Sequence, residues 1–151
     1  MAVKPIPEGY HTVTPYLVVE GVPKLIEFVK AAFGAREVHR TAMPDGSIMH
    51  AEVQIGDSHV MMGEARAGIT PMPAMLYLYV PDVDAVYERA VRAGGTSIAK
   101  PTDQFYGDRS GGVRDACGNQ WWIGTHTEDV PADELARRAA AAMQQRSQAE
   151  R

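Results

Sequence analysis

The spacing of apolar residues along the chain alternates between the period of a strand and the period of a helix. Residues 12–20 are rich in β-branched side chains and predict a strand, in which Pro15 favours an edge position or a bulge. The apolar residues that follow recur every three or four positions and predict a helix that begins near Pro23 and ends at Gly34. Residues 36–43, 48–55 and 59–64 then predict three strands, joined by short turns that contain Gly46 and Gly56.

The same order of elements starts again after residues 65–74, which predict a linker between modules. A shift of 61 residues places Tyr16 on Tyr77, Leu17 on Leu78, Val19 on Val80, Glu27 on Glu88 and Gly34 on Gly95. The apolar positions of the helix map at the same shift, onto Val83, Val86, Tyr87, Ala90, Ala93 and Gly94. We therefore predict an internal duplication of a βαβββ module, with copies over about residues 12–64 and 75–127.

The predicted fold class is α+β: two βαβββ modules in tandem form a curved mixed sheet around a trough, with one helix per module on the other face. We expect one domain over residues 1–130 and a helical tail over 131–151. Leu135, Ala139 and Met143 of the tail can pack on a partner subunit, or the tail can be a solvated helix.

Strand alternation sorts the side chains between the two faces of this sheet. The residues expected to face the helices are Leu17, Val19, Ala51, Val53, Ile55, Leu76, Leu78, Val80, Trp121 and Ile123. The residues expected to line the trough are Thr14, Tyr16, Val18, His50, Glu52, Gln54, Val60, Met62, Glu64, Met75, Tyr77, Tyr79, Gln120, Trp122, Gly124 and His126.

Composition narrows the possible partners. The chain has 151 residues and a net charge of -4 with mixed signs, so it has no basic face for nucleic acid and no polybasic membrane patch. No apolar run approaches the ~20 residues of a membrane span, and the N-terminal sequence lacks the apolar core of a signal peptide. The single cysteine, Cys117, agrees with a reducing compartment, and we expect a cytoplasmic protein.

The segment from residue 104 to residue 126 carries the most distinctive chemistry. It combines Tyr106-Gly107-Asp108-Arg109 with the turn Asp115-Ala116-Cys117-Gly118-Asn119 and a strand that holds both tryptophans. Together with the duplicated module, these motifs resemble the vicinal oxygen chelate superfamily, which includes glyoxalase I, extradiol dioxygenases and bleomycin and fosfomycin resistance proteins. Within it, the chain is most similar to the PhnB-like, glyoxalase/bleomycin-resistance branch, over about residues 10 to 130. Ala116-Cys117 replaces the Pro-Phe of that branch's turn.

The resemblance also implies where a metal would bind. Metal enzymes of the superfamily take ligands from four strand positions, which fall here on Thr14, Val60 or Met62, Met75 and Trp122. A Lewis-acid metal needs imidazole or carboxylate ligands, and these side chains do not supply them. We therefore expect neither a metal nor another cofactor.

The candidate ligand-binding residues are the aromatic, methionine and polar side chains expected in or beside the trough, namely Tyr16, His50, Glu52, Met62, Met75, Tyr77, Tyr79, Trp122, Tyr106 and Arg109. The aromatic and methionine side chains among them suit a flat or apolar organic molecule. Tyr106, Asp108 and Arg109 form a polar cluster beside the trough. If their strand is regular, Asp108 and Arg109 point to opposite faces, so that one meets a ligand and the other makes an ion pair.

His50 and Glu52 share a strand face and are the catalytic candidates. They can act as a general base with a nearby charge, as part of a metal site or as an anchor for a cationic ligand, or they can be solvated surface residues. The first functional hypothesis is a metal-free homodimer that binds a small aromatic or amphipathic molecule, dimerisation being implied by the resemblance. The alternative is a metal-dependent or acid/base lyase or isomerase of the glyoxalase type that uses His50 and Glu52. A regulatory or scaffolding subunit is a third possibility.

Overall fold

The structure, a computed structural model, describes residues 2–151; Met1, at which the predicted domain begins, lies outside the described residues. The first module consists of β1 (Tyr16–Val19), α1 (Val22–Phe33), β2 (Arg36–Ala42), β3 (Ile48–Ile55) and β4 (Ser58–Glu64). The second consists of β5 (Met75–Tyr79), α2 (Val83–Arg92), β6 (Thr96–Asp103), β7 (Asp108–Arg114) and β8 (Gln120–His126), and α3 (Ala132–Ala149) follows. The predicted α+β fold of tandem βαβββ modules is confirmed.

The strands form two separate four-stranded sheets with the same topology. Sheet 1 has the order β1-β4-β3-β2, and sheet 2 has the order β5-β8-β7-β6. In each sheet the first pair is parallel and the others are antiparallel. The linker crosses the outer edge of β1, where the Met72 amide donates to the Val18 carbonyl at 2.9 Å.

Local sequence explains where α1 begins and ends. The Glu64 carboxylate accepts hydrogen bonds from the backbone amides of Gly21 and Val22, at 2.7 and 2.9 Å. A carboxylate at this end of a helix satisfies free N–H groups and opposes the positive end of the helix dipole. Gly34 ends the helix in the left-handed conformation, with φ of 65°. Glu64 therefore caps α1, and the prediction that it lines the trough is wrong.

Both helices contribute to one hydrophobic core that is shared by the two modules. α1 packs on β3 and β4 of its own module and also against α2. Its Phe28 and Phe33 rings lie 6.4 and 5.1 Å from the ring of Trp121, which belongs to sheet 2 and is fully buried. The inner faces of both sheets therefore cover the same core, and the other face of each sheet, called here its open face, points away from that core.

The face predicted for β4 is wrong. Val60 and Met62 are 3% and 0% exposed and lie in the core, although we expected both in the trough. The tight β3–β4 hairpin pairs Val60 with Val53 and Met62 with Ala51, and residues directly opposite each other in a sheet share a face. The β4 residues on the open face are His59, Met61 and Gly63.

The turn between β7 and β8 is built around the buried carboxylate of Asp115. One of its oxygens accepts from the backbone amides of Cys117 and Asn119 at 2.8 and 3.0 Å. The other accepts from Asn119 Nδ2 at 2.9 Å and from Trp121 Nε1 at 2.8 Å. Asn119 Oδ1 in turn accepts from the Ala74 amide at 3.0 Å, so the turn also holds the chain just before β5.

The last helix, α3, has no buried residue. Arg138 connects it to the body of the protein through Glu128 at 2.8 Å and the Phe105 carbonyl at 3.3 Å. Met143, near its end, is 69% exposed. Among residues 2–151, no helix has both the length and the apolar character that crossing a membrane requires.

Candidate functional site on the open sheet faces

Aromatic side chains on the open faces lie flat over glycines of neighbouring strands. Trp122 lies over Gly112, where an added Cβ would come within 2.9 Å of the indole. Tyr16 crosses Gly63 in the same way, and Tyr77 crosses Gly124. The glycines give the rings room against the sheet. Trp122 is therefore on the open face, whereas the adjacent Trp121 is buried in the core.

The first strand of sheet 2 presents a row of large side chains to solvent. Met75 and Tyr79 are 65% and 68% exposed, and Tyr77 between them is 39% exposed. Strand pairing places Tyr77 beside Trp122 and Tyr79 beside Gly124. Four of the predicted ligand-binding residues therefore lie together on the open face of sheet 2. Exposed apolar surface of this kind is typical of a binding site.

The predicted pair His50 and Glu52 lies on the open face of sheet 1, inside a longer hydrogen-bonded chain. His50 Nε2 and Glu52 Oε1 are 3.0 Å apart, and His50 Nδ1 and Tyr16 Oη are 3.1 Å apart. The Tyr10 hydroxyl donates to the other oxygen of Glu52. Tyr10 was not among the residues predicted from the sequence. It lies in the irregular segment before β1, and its ring stacks on that of His59 at 4.0 Å.

The carboxylate of Glu52 determines the charges and the hydrogen-bond directions along this row of side chains. Burial alone would raise the pKa of Glu52, but hydrogen bonds from Tyr10 and His50 outweigh burial and hold that pKa below its usual value. Burial and the contact with Glu52 raise the pKa of Tyr10 to about 12. With Glu52 ionised, a neutral His50 donates from Nε2, and Nδ1 can then accept the Tyr16 hydroxyl proton.

A second polar cluster, which the sequence did not predict as a unit, lies on the open face of sheet 2. Tyr77 and Tyr79 both donate to Asp108 Oδ2, at 2.9 and 3.0 Å. His126 Nδ1 lies 2.9 Å from Asp108 Oδ1, and His126 Nε2 lies 2.7 Å from Asp129. Asp108 is only 4% exposed. Of the two neighbours for which the sequence left the choice open, Asp108 is the one on the open face.

Hydrogen bonds set the charges of this cluster. Burial would raise the pKa of Asp108, but the bonds from His126, Tyr77 and Tyr79 lower it below its usual value. The hydrogen bonds to Asp108 and then to Asp129 raise the pKa of His126. The pKa of Tyr77 is raised by burial and by Asp108, so its hydroxyl stays protonated.

Arg109 does not join the ligand-binding residues with which it was predicted. It points to the helix side of sheet 2, where Nε and Nη2 bind the Asp84 carboxylate on α2 at 2.8 and 3.0 Å. Alternation along β7 turns it away from the face that Asp108 occupies. Tyr106 lies closer to the cluster, with its hydroxyl 3.4 Å from Ser110 Oγ.

The residues at the implied metal positions do not fit a metal. Val60 and Met62 are buried in the core, and Met61 takes the open-face position beside Tyr16. Thr14, Met75 and Trp122 provide no imidazole or carboxylate, which are the donors that a Lewis-acid metal requires. Within residues 2–151, no three His, Cys, Asp or Glu side chains are placed to hold a metal ion.

A groove of about 860 Å³ runs beside β5, between the two modules. Its walls are the segment before β1, the β3–β4 hairpin, α2 and β5 itself. Among the strands that the structure describes, β5 pairs only with β8, so its other edge has no strand beside it there. Free strand edges in native proteins are usually covered, and this one carries exposed apolar side chains.

The fold and the candidate site together define the class of this protein: tandem βαβββ modules with aromatic side chains on the open sheet faces. The chain belongs to the glyoxalase/bleomycin resistance protein/dioxygenase superfamily, whose family model matches residues 10–123. An uncharacterised protein of Mycobacterium bovis is 35% identical over 133 residues, which is 81% of this chain and 88% of that protein.

Solved structures show the same fold. TioX from Micromonospora sp. ML1 aligns with a TM-score of 0.66 at 23% identity, over 77% of this chain and 98% of TioX. The PhnB protein from Bacillus cereus aligns with a TM-score of 0.62 at 17% identity, over 76% of this chain and 99% of that protein. The predicted resemblance to the superfamily is confirmed, and the PhnB protein shares its fold.

Proposed function

We propose that the protein binds a small aromatic or amphipathic molecule on its open sheet faces, without a bound metal. The observation that carries this proposal is the row of exposed Met75, Tyr77 and Tyr79 beside Trp122 on one face of sheet 2. Aromatic contacts contribute roughly 0.5 to 1.5 kcal/mol each beyond burial, and methionine adapts to irregular shapes.

In this proposal, the protein binds its ligand as a homodimer. Because both sheets cover one core, the two open faces of a chain point away from that core and do not enclose a ligand between them. A second copy that places its sheet 1 over the sheet 2 of the first would close the trough and cover the edge of β5. The chain works in the cytoplasm in this proposal, where a single cysteine such as Cys117 stays reduced.

We expect sedimentation equilibrium to give the mass of two chains. Met75→Arg places a charge on the open face of β5 and should shift the protein to monomers. Met143→Arg on the exposed end of α3 is the matched control and should leave the dimer intact. A monomeric wild type would contradict the proposed dimer, and dissociation by Met143→Arg alone would move the interface to the tail helix.

Tryptophan fluorescence tests ligand binding, because the chain has two tryptophans and one of them, Trp121, is inaccessible. Planar aromatic compounds should quench the wild type saturably, and Trp122→Phe should abolish the saturable part. Calorimetry should show affinity for the same compounds reduced about 2- to 10-fold in that variant. Saturable quenching that is unchanged in Trp122→Phe would show that the ligand binds elsewhere.

The second candidate function is proton transfer, and the hydrogen-bonded chain Tyr16–His50–Glu52 favours it. Neutral His50 can take the Tyr16 proton at Nδ1, and ionised Glu52 stabilises the resulting imidazolium, so that Tyr16 Oη can act as a base toward a C–H group of a bound molecule. Mass spectrometry of the recovered ligand after incubation in D₂O separates the functions. An unchanged ligand supports binding alone, whereas deuterium incorporation that His50→Gln abolishes supports an isomerase or lyase.

A further inference from the structure

The hydroxyl groups of Tyr77 and Tyr79 have a fixed polarity. Both protons are directed at Asp108 Oδ2, at 2.9 and 3.0 Å. A phenol that donates its proton in this way offers only lone pairs to any other partner. Toward solvent, the two hydroxyl groups therefore present lone pairs, and a ligand that meets them must donate a hydrogen bond or bring a positive charge.

The charge behind these hydroxyl groups is negative. Asp108 is 4% exposed and its pKa is held below the usual range, so the carboxylate is ionised at neutral pH. The basic group in contact with it, His126, is shared with Asp129, which lies 2.7 Å from the other ring nitrogen. The cluster of Asp108, Asp129 and His126 therefore keeps a net negative charge even when His126 is protonated.

Within the described chain, the ion pairs of Asp108 and Asp129 are with His126, and neither carboxylate pairs with a lysine or an arginine. Arg109 is committed to Asp84 on the helix side of the sheet. Arg114 lies on the same strand as Asp108, six residues along, and at about 3.3 Å per residue its backbone is roughly 20 Å away. The ring centroids of Tyr77 and Tyr79 lie 5.1 Å apart at a 55° tilt, and both rings are exposed to solvent.

We infer that Tyr77, Tyr79 and Asp108 form a subsite for the cationic nitrogen of an aromatic ligand. A cation lying against the two rings interacts favourably with their faces, and the buried carboxylate attracts the same charge. An N–H group on that nitrogen can also donate to the phenol oxygens. Trp122, paired with Tyr77 across the β5–β8 ladder, then lies where the planar part of the ligand can stack. The inference rests on the proposed binding function and specifies the ligand class as aromatic cations.

A matched pair of probes tests this inference in the full-length protein. N-methylquinolinium and quinoline share a ring system, but at slightly alkaline pH the first is a cation and the second is neutral. This pH also lowers the protonated fraction of His126. We expect calorimetry to show about 10-fold tighter binding of N-methylquinolinium. Asp108→Asn should reduce this preference to less than about 2-fold and leave quinoline affinity nearly unchanged.

Two further variants separate the subsite from its alternatives. Asp57→Asn removes the same charge from the exposed β3–β4 hairpin and should keep the preference, which distinguishes the subsite from an effect of net charge. Tyr79→Phe keeps an exposed ring without its hydroxyl, so it carries little risk for folding, and it should leave N-methylquinolinium preferred by only a few-fold.

The outcomes distinguish failure of the subsite from failure of the binding function. If both probes bind equally to the wild type, or if the preference survives both Asp108→Asn and Tyr79→Phe, the subsite is wrong and the binding function stands. If neither probe binds and other planar compounds also fail to quench Trp122, the proposed function is wrong as well.

Discussion

Replacing Trp121 with alanine is expected to lower the free energy of unfolding by about 3–5 kcal/mol. The indole is fully buried, and it contacts Phe28 and Phe33 of α1 from its position in sheet 2. Its loss would leave a cavity at the contact between the two modules and remove the donor to Asp115 at 2.8 Å. Because domains of this size are stable by only about 5–15 kcal/mol, the effect should be large in urea unfolding followed by circular dichroism.

Trp122→Ala is the matched control for this prediction. It removes the same side chain from the next residue of β8, but that indole is only partly buried and lies on the open face over Gly112. We expect a loss of about 1 kcal/mol. Equal destabilisation by the two substitutions would contradict the assignment of Trp121 to the shared core and Trp122 to the open face.

The duplicated fold could be predicted from the sequence because its signals are local and occur twice. The helix of each module shows a 3.6-residue apolar period, and the matched pairs such as Tyr16 with Tyr77 keep one offset. In the structure those two tyrosines occupy equivalent places. Each lies on the first strand of its sheet, and its ring crosses a glycine of the parallel neighbouring strand. Repetition thus made a weak local pattern reliable.

The error in β4 could have been avoided with the same information. A two-residue turn at Gly56-Asp57 pairs Ile55 with Ser58, and this register fixes the face of every later residue. Since Ala51 and Val53 were assigned to the core, their partners Met62 and Val60 had to face the core as well. The mistake came from treating β4 as an isolated strand.

The polar clusters depend on contacts between residues far apart in sequence, and no local pattern encodes them. Tyr10 reaches Glu52 from 42 residues away, and Tyr77 reaches Asp108 from 31 residues away. Alternation did indicate that Asp108 and Arg109 face opposite ways, but it did not show that Asp108 bonds Tyr77 on the open face while Arg109 bonds Asp84 on α2. Tertiary packing, and not strand pattern, decides the composition of the site.

Replacing Asp115 with alanine is expected to lower the free energy of unfolding by roughly 3 kcal/mol. The substitution removes the acceptor for the amides of Cys117 and Asn119, for Asn119 Nδ2 and for Trp121 Nε1. A buried donor without a partner costs about 1–3 kcal/mol, and water entering the turn would satisfy some of these groups, so the loss should be smaller than their sum. The midpoint of urea unfolding measures it.

A double-mutant cycle shows whether this cost passes through the indole. Trp121→Phe has no ring N–H, so Asp115→Ala should cost about 1 kcal/mol less in that background than in the wild type. Asp45→Ala is the turn control, because the Asp45 carboxylate also accepts a backbone amide, from Ser47 at 3.0 Å, but in an exposed turn where water can replace it. Asp45→Ala should therefore lower the free energy of unfolding by much less than Asp115→Ala does. Strict additivity in the cycle would mean that Asp115 stabilises the turn alone, and that the link from the β7–β8 turn to the shared core through Trp121 contributes nothing.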